Sequence, residues 1–74
     1  MTRSDVETYH QDGSWHNKIE GTDAVLGSFP TKREATASGR ERAIADRATH
    51  TVRNEDGRIG ERYSYGPDPH NIRG

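Results

Sequence analysis

The dipeptide Asp12-Gly13 constrains this chain more than any other feature in it. A two-residue turn of type I′ needs positive φ at both central positions, which Asp-Gly tolerates, and its twist matches that of two flanking antiparallel strands. Centring the turn there pairs Gln11 with Ser14, His10 with Trp15, Thr8 with Asn17 and Val6 with Ile19. The alternate residues pair as Tyr9 with His16 and Glu7 with Lys18. An apolar pair then falls on one face and an opposite-charge pair on the other, so pattern and turn agree.

The rest of the chain is punctuated in the same way. Gly21-Thr22-Asp23 reads as a turn, residues 24–29 as a third short strand, and Pro30 as its end. Thr31-Lys32-Arg33-Glu34 is a capping-box pattern, in which the Thr31 hydroxyl accepts from the Glu34 amide and the Glu34 carboxylate returns to the Thr31 amide. It predicts a helix over about 32–47. The best buried stripe on that helix is Ala35, Thr36, Gly39 and Ala43, small residues that allow close approach to a sheet but bury little area. Ile44 lies off the stripe, as a peripheral contact or as a contact for a second protomer. Residues 49–53 and 58–65 read as a closing hairpin around Asn54-Glu55-Asp56-Gly57. A two-residue turn would set Val52 against Glu61, and a four-residue loop sets Val52 against Ile59. The second keeps two apolar residues on one face and is preferred.

The succession β-β-β-α-β-β predicts an α+β fold: a small antiparallel sheet with one helix packed across one face. Residues 1–65 form a single domain, and 66–74, with two prolines and no periodicity, form an extended tail. Core candidates are Val6, Trp15, Ile19, Leu26, Phe29, Ala35, Ala43, Val52, Ile59 and Tyr63. The core is thin. One Leu, four Ile, three Val and one Phe stand among 74 residues, where less than roughly 20% of such residues together with high net charge marks disorder. Here 11 basic and 12 acidic residues nearly cancel, to −1. The chain is therefore expected to fold as one marginal domain and to associate, through strand edges or a helix face.

The ending Asp56-Gly57-Arg58-Ile59-Gly60-Glu61-Arg62-Tyr63-Ser64-Tyr65-Gly66-Pro67-Asp68-Pro69 closely resembles that of a bacterial and archaeal family, domain of unknown function 2188. Asp12-Gly13-Ser14-Trp15 with Glu20-Gly21 is similar to that family's first hairpin. Phe29-Pro30-Thr31-Lys32-Arg33-Glu34-Ala35 is similar to its helix start. The sequence departs from the family in the helix, where Thr36 and Arg42 stand at positions expected to be aliphatic; this points toward a partner. The resemblance implies the fold and brings no particular activity with it.

Several function classes drop out. No stretch approaches the roughly 20 apolar residues of a membrane span, and Met1-Thr2-Arg3-Ser4-Asp5 lacks the apolar stretch of a signal peptide. Cysteine is absent, which removes disulfides and thiolate metal sites. A cytoplasmic protein with no membrane partner is expected. His10 and His16 fall on opposite faces of the first hairpin and cannot share an ion, His50 could lie near Glu61, and His70 is in the tail. No metal and no cofactor are expected. Ser14, Ser28, Ser38 and Ser64 sit in no strained elbow, and no phosphate loop is present, so no catalysis is expected.

Two binding classes remain. A nucleic-acid surface would use Lys32, Arg33, Arg40, Arg42 and Arg47 on the helix with Arg58, Arg62, Tyr63 and Tyr65 on the last strand, tracking phosphates and stacking bases. Its chief candidates are Lys32, Arg33, Arg40, Arg47, Arg58, Arg62 and Tyr65. Against it, Glu34, Glu41 and Asp46 interleave with the basic residues and the isoelectric point is near 6.4, which favours a solvated face. The preferred expectation is a small non-catalytic protein-interaction module that pairs with a second copy or another protein. The segment from Tyr63 to Pro69 could serve such a partner, although Gly66, Pro67 and Pro69 also read simply as the end of a strand.

Overall fold

Asp12 and Gly13 adopt φ of 54° and 80°, and every pair expected around them is present between β1 (Val6–Gln11) and β2 (Ser14–Ile19). The protein, described here by a computed structural model over residues 5–66, continues with β3 (Val25–Phe29), α1 (Lys32–Ala45), β4 (Thr49–Arg53) and β5 (Ile59–Ser64). β3 pairs with β2, setting Phe29 opposite Trp15 and Gly27 opposite Asn17, and Leu26 is the extra residue of a bulge beside Lys18. Thr31 caps α1: its hydroxyl accepts from Glu34 N at 3.2 Å and donates to Glu34 Oε1 at 3.2 Å. The box thus closes through the hydroxyl rather than through the Thr31 amide. The helix ends two residues before the expected boundary, because Arg47 turns into the left-handed region (φ 53°).

The fold is α+β, with the helix on one face of the sheet and the strands in the order β3-β2-β1-β4-β5. An all-antiparallel sheet was the expectation, and β4 corrects it by running parallel to β1, with Val6 opposite His50 and Thr8 opposite Val52. The cause is the helix. β1 and β3 both oppose β2 and so run the same way. α1 carries the chain back along the sheet, and the strand after it must repeat the direction of β3.

The closing hairpin also departs from expectation. Val52 faces Glu61 rather than Ile59, Arg53 faces Ile59, and Gly60 is the extra residue between them. A tight loop selects this register: Asn54 N donates to Arg58 O at 2.7 Å, Gly57 N to Asn54 O at 2.9 Å, and Arg53 Nη1 to Gly57 O at 2.8 Å.

Among the described residues the buried apolar set is Val6, Ala35, Ala43, Ala48 and Val52. Trp15, Ile19 and Phe29, expected in the core, are half-buried, and Leu26, Ile59 and Tyr63 are exposed. Each has its reason. Leu26 is bulged, Ile59 shares the uncovered face with Arg53, and Tyr63 lies beyond the helix, which packs on β1 to β4. Under Gly39 the layer between helix and sheet is polar. Asn17 Nδ2 donates to Ala35 O at 2.8 Å, and Thr8 Oγ1 donates to Asn17 Oδ1 at 2.5 Å. With its one proton so engaged, Thr8 accepts from His50 Nε2 at 2.7 Å, which puts a proton on that nitrogen. The opposite face of the sheet carries Glu7 between Lys18, at 3.8 Å, and Arg53. The tail expected at 66–74 lies, from residue 67 on, outside the described residues.

Candidate interaction surface

Side chains alternate along β5, so Tyr63, opposite His50, and Glu61, opposite Val52, face the same side as α1, while Arg62, opposite Thr51, faces away. α1 does not reach β5, and all six residues of that strand are exposed. A ledge results, floored by Glu61, Tyr63 and Tyr65 and open to solvent. Tyr63 and Tyr65 stack on it, with ring centroids 6.3 Å apart and planes at 28°. A hydrogen bond that the Tyr63 hydroxyl gives to the Glu61 carboxylate, then partial desolvation and nearby negative charge, push the Tyr63 phenol up from its ordinary value, with Arg40 pulling the other way.

The flank of α1 forms the wall of the ledge. Lys32 Nζ donates to Asn54 Oδ1 at 2.9 Å, tying the start of the helix to the β4–β5 loop. Arg40 is close enough to act on both His50 and Tyr63. Ile44, one turn further along the same flank, is exposed. A cleft of about 510 Å³ follows this flank, lined by Lys32, Arg33, Thr36, Ala37 and Arg40. Those five include three cations and no carboxylate.

The structure therefore divides the basic surface expected from the sequence. Lys32, Arg33 and Arg40 come together in the cleft, and Tyr65 stands on the ledge beside Ala48, toward the other end of the helix. Arg47 stands just past the helix end, exposed. Arg58 is at the hairpin tip, 3.9 Å from Asp56. Arg62 is on the other face of the sheet, near Thr51 rather than near the cleft. Arg42 pairs with Asp46 at 2.8 Å. Glu61 belongs to the ledge; it was expected near His50, where its charge acts, but not as part of a binding surface. The two-residue-turn register, which sets it opposite Val52, carried the signal. Among the described residues no group of three or more His, Asp or Glu side chains is placed to hold a metal, and no helix is long and apolar enough to cross a membrane.

A family model described as an uncharacterized protein conserved in bacteria (DUF2188) matches residues 6–65. No curated protein and no solved structure matches the chain.

Proposed function

The chain belongs to that family, and from this premise we propose that it is a non-catalytic protein-interaction module that associates with itself through the edge of β5. One observation carries the reading: β5 is an edge strand with every residue exposed and no helix over it. Unpaired backbone groups along such an edge are a ready template for another strand. The thin core supports the same conclusion, since Val25, Leu26, Ile44, Ile59 and Tyr63 are all exposed while the buried apolar set among the described residues is two valines and three alanines. The absence of cysteine suits work in the cytoplasm. Sedimentation equilibrium over a wide concentration range tests the proposal. A mass rising toward two chains is the expected result, and a single-chain mass throughout would overturn it.

A second reading rests on the cleft. Three cations without a lining carboxylate suit phosphate groups, and the Tyr63–Tyr65 stack, whose Tyr63 lies within reach of the Arg40 charge, suits bases. Fluorescence anisotropy with labelled single-stranded and duplex DNA checks it. Binding that weakens steeply with salt would report phosphate contacts at the cleft, and no binding at high micromolar protein in low salt would remove this reading.

A further inference from the structure

The registers in which β5 can meet a second copy of itself differ sharply in charge. Tyr65 N donates to Ala48 O at 3.1 Å, so Tyr65, Tyr63 and Glu61 turn their backbone groups toward β4, while Arg62 and Ser64 present theirs at the free edge. Antiparallel pairing about a two-fold axis normal to the sheet puts both helices on one side, and opposed residues then share a face. Each such register is centred on one residue, which meets its own copy. Centred on Glu61 it opposes two carboxylates, and centred on Arg62 it opposes two guanidinium groups. Centred on Tyr63 it opposes aromatic to aromatic, Arg62 to Ser64 and Glu61 to Tyr65, with no like charges facing.

We propose that two copies of the chain join β5 to β5 about Tyr63, making one continuous sheet with five strands from each copy. This rests on the reading of β5 as the self-association edge and specifies its partner and register. The seam spans residues 61–65, clear of the bulge at Gly60, where the ladder to β4 is regular. Arg62 and Ser64 of each copy exchange backbone hydrogen bonds with Ser64 and Arg62 of the other. On the helix side the Tyr63–Tyr65 stack of one copy continues into that of the second. Glu61 and Arg62, charges of the kind that guard an edge strand, disfavour the registers centred on themselves, and a register centred on Ser64 would carry the seam to Gly66, past the bond from Tyr65 N to Ala48 O that holds this end of the strand to β4.

The chain has no cysteine, so single-cysteine variants report the register directly. Opposed residues in a hydrogen-bonded antiparallel pair have Cα atoms about 5.5 Å apart, within the range a disulfide spans. Arg62→Cys and Ser64→Cys, mixed and oxidised with one of them carrying a mass tag, should form the mixed disulfide at least ten-fold faster than either homodisulfide. Tyr63→Arg, which sets like charges on the axis, should weaken the dimer at least ten-fold, and Tyr63→Phe should preserve it. A dominant Arg62→Cys or Ser64→Cys homodisulfide, or rapid homodisulfide formation by Glu61→Cys, would move the axis and overturn the register while self-association stands. A dimer in sedimentation that none of these variants cross-links would place the interface away from β5. A wild-type chain that stays monomeric would remove the self-association reading itself, and this proposal with it.

Discussion

A methyl group at position 39 would fall 2.8 Å from His50 Nε2, 2.9 Å from Asn17 Oδ1 and 3.0 Å from Thr8 Oγ1. All three atoms are buried and hydrogen-bonded to one another, so none can yield without breaking the network. Alanine gains about 1 kcal/mol of helix propensity over glycine, but overpacking costs roughly 1–3 kcal/mol and the network adds to it. Gly39→Ala is therefore expected to be net destabilising, seen as a lower urea midpoint at unchanged slope. His50, in the same network, sets a pH dependence. Burial first, and the Arg40 charge second, hold its pKa below the ordinary histidine value, against an opposing pull from Glu61. Its Nδ1 is buried with no hydrogen-bond partner among the described residues. A depressed histidine pKa means that the unfolded chain takes up a proton first, so this contribution is complete above about pH 6.5 and is lost as the pH falls below it. Urea unfolding at pH 7.5 and pH 5.5 should show lower stability at the acid value, and His50→Gln should remove most of that difference.

At the level of elements, α1 leans on its cap because its buried stripe is small. Thr31→Ala removes the acceptor of Glu34 N, which costs about 1 kcal/mol and should lower Tm by roughly 4–8 °C for a domain of this size. Calorimetry reads this directly, and an unchanged Tm would mean the first turn is held by packing alone. How much of each element could be read in advance follows from what defines it. The first hairpin was legible pair by pair because the Asp12-Gly13 turn leaves no slack. The second was misaligned because its loop closes at Asn54 and Arg58 and the extra Gly60 shifts the pairing, neither of which hydrophobic matching detects. The parallel β1–β4 pairing follows from chain direction across the helix and leaves no mark in local pattern. The polar layer was hidden for another reason: Thr8, Asn17 and His50 look like surface residues one at a time, and only the close approach at Gly39 brings them under the helix. Of the expected basic surface, the helix cluster was legible as a charge run, whereas the separation of Arg62 from it depended on the register.

For the whole molecule, marginal burial and self-association together predict a stability that depends on concentration. If the folded dimer is the stable form, mass action raises its apparent stability as the chain is concentrated. Scanning calorimetry over a hundred-fold range of concentration should show a rising Tm, while the Tyr63→Arg variant should stay flat. The seam between β1 and β4 has one more consequence. β1–β2, β2–β3 and β4–β5 join strands consecutive in the chain, and the parallel seam, with α1 resting across it, unites segments far apart. The molecule is thus two locally built pieces that meet along a short line, and exposed Arg47 marks the joint between them. A single tryptic nick after Arg47 should leave two peptides, 1–47 and 48–74, that find each other again in solution, with the helical circular dichroism of the first returning only when the second is added.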